Sequence, residues 1–273
     1  MTPPTLTGLY VPGNRPDRFD KAVATGTQLV ILDLEDAVPN AEKDNARNAV
    51  VRWITRHSPG DGPQLQVRVN SGNMADLEAL RPIADRFTLR LPKVEGPADL
   101  TEVSGFPSLV ALIETALGVE CIHEIAGHPG VGAIALGDSD LASDIGSASR
   151  HVLDYARIRL VFAARAANLP APMLSAWPGI RDIVGLREDT VRGAALGLIG
   201  RVAIHPSQLH VIVESFRPTP TNMKWAREVA AATASGGVTT LASGEMVDGA
   251  MLLRAQRILD LERATSESQP SAQ

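Results

Sequence analysis

The chain has 273 residues, with 26 Lys and Arg against 31 Asp and Glu for a formal charge of −5, and is 44% hydrophobic but only 4% aromatic. That length suits one large domain or two small ones with a sizeable, mostly aliphatic core. The acidic balance argues against nucleic acid as the main partner, and the single cysteine, Cys121, excludes an internal disulfide framework and a cysteine-based zinc site. No apolar run approaches the roughly 20 residues that cross a bilayer, so no membrane partner is expected. The opening Met-Thr-Pro-Pro-Thr lacks the charged and apolar regions of a signal peptide, and the expected location is the cytoplasm.

Eight short apolar runs, at residues 6–11, 28–33, 65–70, 88–93, 109–114, 131–136, 173–177 and 201–205, read as strands. Most are nearly continuous in apolar character, as strands buried on both faces of a parallel sheet are. Helices are expected between them: 17–25, closed at Gly26; 41–56, behind Pro39 and Asn40; and a stripe of Leu153, Ala156, Leu160, Ala164 and Ala167 facing a core. A further helix at 186–196 ends at Gly197, a suitable left-handed cap. Eight strands alternating with helices predict an α/β fold, a (β/α)8 TIM barrel over residues 1–217; a doubly wound open sheet is the runner-up. Residues 218–265 are expected to form a C-terminal helical lid hinged at Gly236 and Gly237, too small for a core of its own, and 266–273 a disordered tail.

In a parallel barrel the reactive groups collect at the carboxyl ends of the strands. Here those ends carry Asp33-Leu-Glu35-Asp36, Arg68-Val-Asn70, Lys93, Glu114, Gly137-Asp138-Ser139-Asp140 and His205-Pro206. Glu114 and Asp140 are candidate ligands of Mg2+, which keeps several waters and needs few carboxylates; capping of the following helices is the alternative. Arg68, inside an apolar strand, either pairs structurally with Glu35 or Asp36 or stabilises an oxyanion of the substrate. The acidic trio should supply at least one carboxylate that orients Arg68. Lys93 is a candidate for substrate charge or an exposed loop residue, and His205 is expected to be structural.

Several motifs carry no function. Gly130-Val-Gly-Ala-Ile-Ala135 mimics a dinucleotide fingerprint but occupies a strand, where the fingerprint must follow one. His123 and His128 on one helix diverge too far to share a metal, and neither a phosphate-binding Gly-Lys-Ser/Thr loop nor a nucleophile elbow is present.

In this order the motifs resemble the citrate lyase β-subunit-like family, which includes malyl-CoA, citramalyl-CoA and citryl-CoA lyases. The resemblance runs from Leu9 to Leu259. It rests on Tyr10-Val-Pro-Gly-Asn-Arg15-Pro-Asp-Arg18-Phe19, Ile31-Leu-Asp33-Leu-Glu35-Asp36-Ala-Val38, Glu42-Lys43, Ala46-Arg47 and Val67-Arg68-Val-Asn70. Leu91-Pro-Lys93, Ile113-Glu114-Thr-Ala-Leu-Gly118, Gly137-Asp138-Ser139-Asp140-Leu141, Ala203-Ile-His205-Pro206-Ser-Gln208 and Met246-Val-Asp248 complete it. It implies a barrel with Mg2+ on Glu114 and Asp140, Arg68 on the substrate, and the backbone amides of 137–140 receiving a substrate carboxylate. Asp36 and Asp248 join Arg68 as candidate catalytic residues, Glu35 supports them, and Asp248 matches an aspartate that in related enzymes enters a neighbouring subunit's site.

The implied activity is reversible cleavage of a 3-hydroxyacyl-CoA to acetyl-CoA and a 2-keto acid by a homo-oligomer, a trimer or hexamer. Arg15, Arg18 and Lys21 are candidates for the CoA phosphates. The alternatives are the β subunit of a citrate lyase complex acting on a carrier-bound thioester, a thioesterase or malate-synthase-like enzyme, and a non-catalytic metabolite-binding protein. The chain departs from the family pattern in reading Ala171-Pro-Met-Leu-Ser-Ala-Trp177 where an aspartate is often found, Arg201 for a common lysine, and Ala250 for a common proline.

Overall fold

Seven of the eight apolar runs pair in parallel in one curled sheet, seen in a computed structural model that describes residues 3–57, 60, 62–233 and 238–268. The strands are β1 (Thr7–Pro12), β2 (Leu29–Asp33), β3 (Gln64–Arg68), β4 (Thr88–Leu91), β5 (Leu109–Ile113), β6 (Val131–Leu136) and β7 (Arg201–Ala203), in the order β6-β5-β4-β3-β2-β1-β7. Between them run α1 (Phe19–Val23), α2 (Lys43–Arg56), α3 (Met74–Leu80), α4 (Ala116–Glu120), α5 (Ile122–Ala126), α6 (Asp138–Asp144), α7 (Arg150–Ala166) and α8 (Ile183–Ala195). After β7 come α9 (Leu209–Phe216), α10 (Pro220–Ala232), a small antiparallel pair β8 (Thr239–Thr240) and β9 (Met246–Val247), and α11 (Gly249–Glu267).

Period-two alternation divides each strand between two environments. Leu9, Val11, Val30, Leu32, Val67, Leu89, Ala111 and Ile113 face outward into the main core beneath the helices. The inner face is thinner: Leu29, Ile31 and Val202 pack with Tyr10 and Met173, and Val110, Leu112 and Ala135 form a second patch. Polar residues sit among these inner positions. The registers Asp33↔Arg68 and Arg68↔Arg90 put three charged residues of adjacent strands side by side on the concave face.

The expected barrel is corrected at its seventh stave. Residues 173–177 form no strand; Leu174 alone bridges to Arg201, with Leu174 N–H donating to Gly200 O at 2.9 Å and Val202 N–H to Leu174 O at 3.0 Å. Among the described residues no ladder joins this segment to β6. Pro170, Pro172 and Pro178 flank it, and each lacks a backbone donor and fixes its own φ, which leaves too little chain to pair on both sides.

The extension differs from expectation too. α10, β8, β9 and α11 enclose a small core of their own around Ala226, Val229, Leu241, Val247 and Ala255. α11 is anchored to the main body through Leu261 and Ala264. It runs through Glu267, two residues into the stretch expected as tail, while the expected hinge at Gly236 and Gly237 and residues 269–273 lie outside the described residues.

Candidate active site

Arg68 closes β3 with its guanidinium over the sheet's carboxyl end, and the loop after β2 supplies its partners. Nε and Nη2 each donate to Asp33 at 2.7 Å, a bidentate pair of the kind that fixes a guanidinium in its plane. Nη1 donates to Asp36 at 3.2 Å and lies 2.9 Å from Glu35 Oε2, close enough for an ion pair but not aligned as a hydrogen bond. Burial works against the cation, but the hydrogen bonds to Asp33 together with the charges of Asp33 and Glu35 and the Tyr10 side chain outweigh it and raise the Arg68 pKa above its ordinary value. The same burial pushes the Glu35 carboxyl up, against the pull of Arg68. The principal partner is Asp33 rather than the expected Glu35 or Asp36, because the strand register places it directly across from Arg68.

The loop that carries Glu35 and Asp36 is pinned from beneath. Lys43, in the first turn of α2, donates from Nζ to the carbonyls of Leu34 and Glu35 and to Asn70 Oδ1, all within 2.8 Å. Asn70 in turn donates to Leu34 O at 2.8 Å and Asp76 Oδ2 at 2.7 Å. Those bonds give the Glu42-Lys43 and Val67-Arg68-Val-Asn70 motifs a shared physical purpose.

Glu114 follows β5 and is 2% exposed. Its Oε1 accepts the backbone N–H of Lys93 at 2.9 Å, which requires Lys93 to adopt a left-handed φ of 54° that few side-chain-bearing residues take. Its Oε2 rests against Gly137, where an added Cβ would stand only 2.5 Å away, so glycine is the residue that leaves the carboxylate its space. Burial, reinforced by the charges of Glu35 and Asp140, pushes the Glu114 carboxyl up to about 7. Among the described residues no cation lies within ion-pair distance of this carboxylate, and Asp140, in the first turn of α6, faces the same space.

The two acids, Arg68, Asp33, Asp36, Tyr10, Arg90, Ser139 and Ser175 are among the residues around a cavity of about 340 Å3 at the carboxyl end of the sheet. Among the described residues no group of three or more His, Cys, Asp or Glu side chains is arranged to hold a metal. A pair of carboxylates with open space before it suits Mg2+, whose remaining positions are taken by water and substrate oxygens.

Other expected residues are placed differently. Asp138 turns Oδ2 to the buried Arg157, at 2.5 Å, while its Oδ1 has no hydrogen-bond partner among the described residues and the residue lines the cavity. The Gly137 N–H is used by Ile113 O at 2.8 Å and the Asp138 N–H reaches Ser175 Oγ at 3.4 Å, so of the amides expected to take a carboxylate only those of Ser139 and Asp140, in the first turn of α6, are free among the described residues. Lys93 extends its half-exposed Nζ to 3.6 Å from Glu35. His205 accepts the Ser207 N–H at 3.2 Å and caps the short turn begun by Pro206, a structural role.

Asp248 caps α11, its Oδ1 accepting the N–H groups of Ala250 and Met251. Among the described residues the cavity is lined from Tyr10 to Ile204 and takes none from the extension, Asp248 included. Arg15, Arg18 and Lys21 line a separate cavity of about 450 Å3 that shares Tyr10 and Ile204 with the first. Arg15 is also paired with Asp17 at 2.9 Å.

Two features escaped the sequence reading. Arg90 is a second buried arginine of the concave face, and the signal that singled out Arg68, a charge inside an apolar strand, applies equally to Thr88-Leu-Arg90-Leu. Asp189, on α8, gathers Arg157, Arg192 and Arg201 around one carboxylate; helical charge spacing alone reads as an exposed face there.

The comparisons with known proteins identify the family. The sequence model of HpcH/HpaI aldolase/citrate lyase matches residues 6–206. The chain is 37% identical over 272 residues to a citrate lyase subunit beta-like protein of Mycobacterium tuberculosis, covering 95% of this chain and 96% of that protein. It is 32% identical over 296 residues to the mitochondrial citramalyl-CoA lyase of Homo sapiens, covering 95% and 86%. The crystal structure of the protein CitE from Mycobacterium tuberculosis in complex with magnesium, acetoacetate and coenzyme A is similar with a TM-score of 0.81 at 34% identity, covering 94% of this chain and 98% of that one. By sequence and by fold, the chain belongs to the HpcH/HpaI aldolase/citrate lyase family.

Proposed function

We propose that this chain is a Mg2+-dependent carbon–carbon lyase that cleaves a 3-hydroxy-3-carboxyacyl-CoA of the malyl, citramalyl or citryl type, reversibly, to acetyl-CoA and a 2-keto acid. The observation that carries this reading is the buried Glu114 carboxylate, without an ion-pair partner among the described residues and facing Asp140 across a cavity that Arg68 also lines. Glu114 and Asp140 would hold the metal, which supplies Lewis acidity to the substrate's hydroxyl and carboxylate oxygens.

The chain's own groups account for the rest. Arg68 gives three of its five N–H donors to Asp33 and Asp36 and is held as an ion pair by Glu35, which leaves a second Nη2 hydrogen and its positive charge for the oxygen that becomes a carbonyl. Asp36, the exposed member of the trio, is placed to take the hydroxyl proton. The free N–H groups of Ser139 and Asp140 offer donors for the substrate carboxylate. The CoA moiety would lie along the adjoining cavity, its phosphates near Arg18 and Lys21. Breaking the bond between the hydroxyl-bearing carbon and the thioester's α carbon leaves its electron pair on the thioester as an enolate, and protonating that carbon yields acetyl-CoA.

Among the described residues the cavity takes no side chain from the extension of the same chain, which supports assigning the protonation of the enolate to Asp248 of a neighbouring copy in a homo-oligomer. The purified protein should release acetyl-CoA and a keto acid from malyl-, citramalyl- or citryl-CoA in the presence of Mg2+. Turnover of a carrier-bound thioester alone would instead make it a complex subunit, and release of free CoA with the hydroxy acid intact would make it a thioesterase. Asp248→Asn and Glu114→Gln chains, each inactive alone, should regain part of the activity when unfolded and refolded together. No recovery in mixed oligomers would show that Asp248 does not act across subunits.

A further inference from the structure

Nearly every arginine withdrawn from water in this protein is matched by carboxylates. Arg68 has Asp33, Glu35 and Asp36; Arg157 has Asp138, Asp154 and Asp189; Arg201 has Asp189; Arg47 has Asp44 and Asp76. Arg90 is the exception: among the described residues no carboxylate lies within ion-pair distance of it. It is 4% exposed, its Nη1 donates to Gln66 Oε1 at 3.0 Å, and its Nε is buried without a partner. Its guanidinium carbon stands 5.7 Å from the centre of the Tyr10 ring, the ring that Arg68 also approaches, at 5.0 Å. A guanidinium so little exposed, with one neutral hydrogen bond and no carboxylate, is costly to the fold unless a ligand completes it.

Its position says what the ligand brings. Arg90 is paired in register with Arg68 and lines the same cavity as Glu114 and Asp140. Arg68 has committed three of its five N–H donors to carboxylates and is ion-paired with a further one, whereas among the described residues Arg90 has committed one donor, to a neutral amide. Behind Arg90 a second cavity of about 310 Å3, lined by Gln64, Gln66, Val110, Ala133, Ala135 and Met173, leaves the concave face unfilled and gives the guanidinium room to meet an incoming group.

We propose that Arg90 is the receptor for a second carboxylate on the keto-acid half of the substrate, and so selects dicarboxylic over monocarboxylic 2-keto acids. The inference rests on the lyase reading above. The first carboxylate and the neighbouring oxygen belong to the metal side of the cavity; a hydrogen or methyl group in place of the second leaves Arg90 unpaired, and a carboxylate there gives it a charge-assisted, fork-shaped partner.

Isothermal titration with Mg2+ present tests this with keto acids of equal length: oxaloacetate against 2-oxobutyrate, and 2-oxoglutarate against 2-oxopentanoate. The native protein should bind at least one dicarboxylate about tenfold or more tightly than its monocarboxylic counterpart. Arg90→Met should erase that preference by weakening the dicarboxylate while leaving the monocarboxylates within about twofold, and Arg90→Lys should restore part of it. The ligand-free Arg90→Met protein should melt no lower than the native one, since it exchanges an unpaired buried charge for an apolar chain of similar size. A lowered Tm with all keto acids weakened alike would make Arg90 a structural prop and overturn the assignment. Equal affinities within both native pairs would overturn it while sparing the lyase reading; no keto acid binding at all would overturn both.

Discussion

Replacing Glu114 with Gln should lower Mg2+-dependent cleavage by about three orders of magnitude, the several kcal/mol of charge stabilisation that a bound Lewis acid contributes. The exchange preserves shape and removes one of two carboxylates, so the loss should be accompanied by weaker Mg2+ binding in a direct titration. The acid's environment adds a pH signature. Without a cation its carboxyl is pushed up to about 7, chiefly by burial and then by Glu35 and Asp140. A proton and Mg2+ then compete for the same group, and apparent Mg2+ affinity should fall as pH drops below about 7, approaching tenfold per unit. That slope should flatten in the Gln variant.

Stability moves the other way. An acid whose pKa is higher in the fold than in the unfolded chain destabilises the fold as it ionises. Relative to its ordinary value of 4.5, the shift contributes stability that is present at low pH and lost between about pH 4.5 and 7, on the order of 3 kcal/mol. The metal-free Glu114→Gln protein should therefore melt higher than the native protein at pH 8, and Mg2+ should raise its Tm less. A variant that melts lower and keeps its Mg2+-dependent activity would remove Glu114 from the metal site.

What the sequence made legible follows from how much context each feature needs. Strands buried on both faces announce themselves as continuous apolar runs, which is why seven of the eight are where they were expected. The eighth shows the limit: residues 173–177 have the composition of a strand, but prolines at 170, 172 and 178 decide whether it can pair. The acids at strand ends could be located because a parallel sheet fixes where strand ends go; their partners could not. That Asp33 rather than Glu35 is bidentate to Arg68 depends on register, and that Lys93 serves through its backbone N–H depends on a left-handed φ. Arg90 was hidden for a different reason, since an absent partner is visible only once every neighbour is in place. Asp248 was recognised through a motif, and one chain's geometry gives it a helix cap.

Asp189→Asn should be the costliest single exchange away from the cavity. The native carboxylate accepts both Nη groups of Arg157, at 3.1 and 3.0 Å, and is also paired with Arg192 and with Arg201, which opens β7 and is 1% exposed. Asn keeps one acceptor and removes the charge, leaving Arg201 with no carboxylate and Arg157 to Asp138 and Asp154. Breaking a buried pair from one side costs about 3–5 kcal/mol, which for a chain of this size lowers Tm by on the order of 10 °C. Arg192→Ala removes a partner from the exposed side of the same cluster and should cost about 1 kcal/mol or less. Burial pushes the Asp189 carboxyl up, but the hydrogen bonds and charges of Arg157 and Arg201 outweigh it and hold it well below the usual carboxylate range. Its contribution is therefore present above the pH at which an ordinary aspartate ionises and is lost as pH falls through the acid range, so the Asn variant should lose less stability on acidification than the native protein. The effect should reach the site as well. Arg157 ties Asp189 to Asp138 at the start of α6, the turn that carries Asp140. If that link orients the metal-side acid, Asp189→Asn should weaken Mg2+ binding even at temperatures where the fold is intact; unchanged binding with a lowered Tm would confine Asp189 to stability.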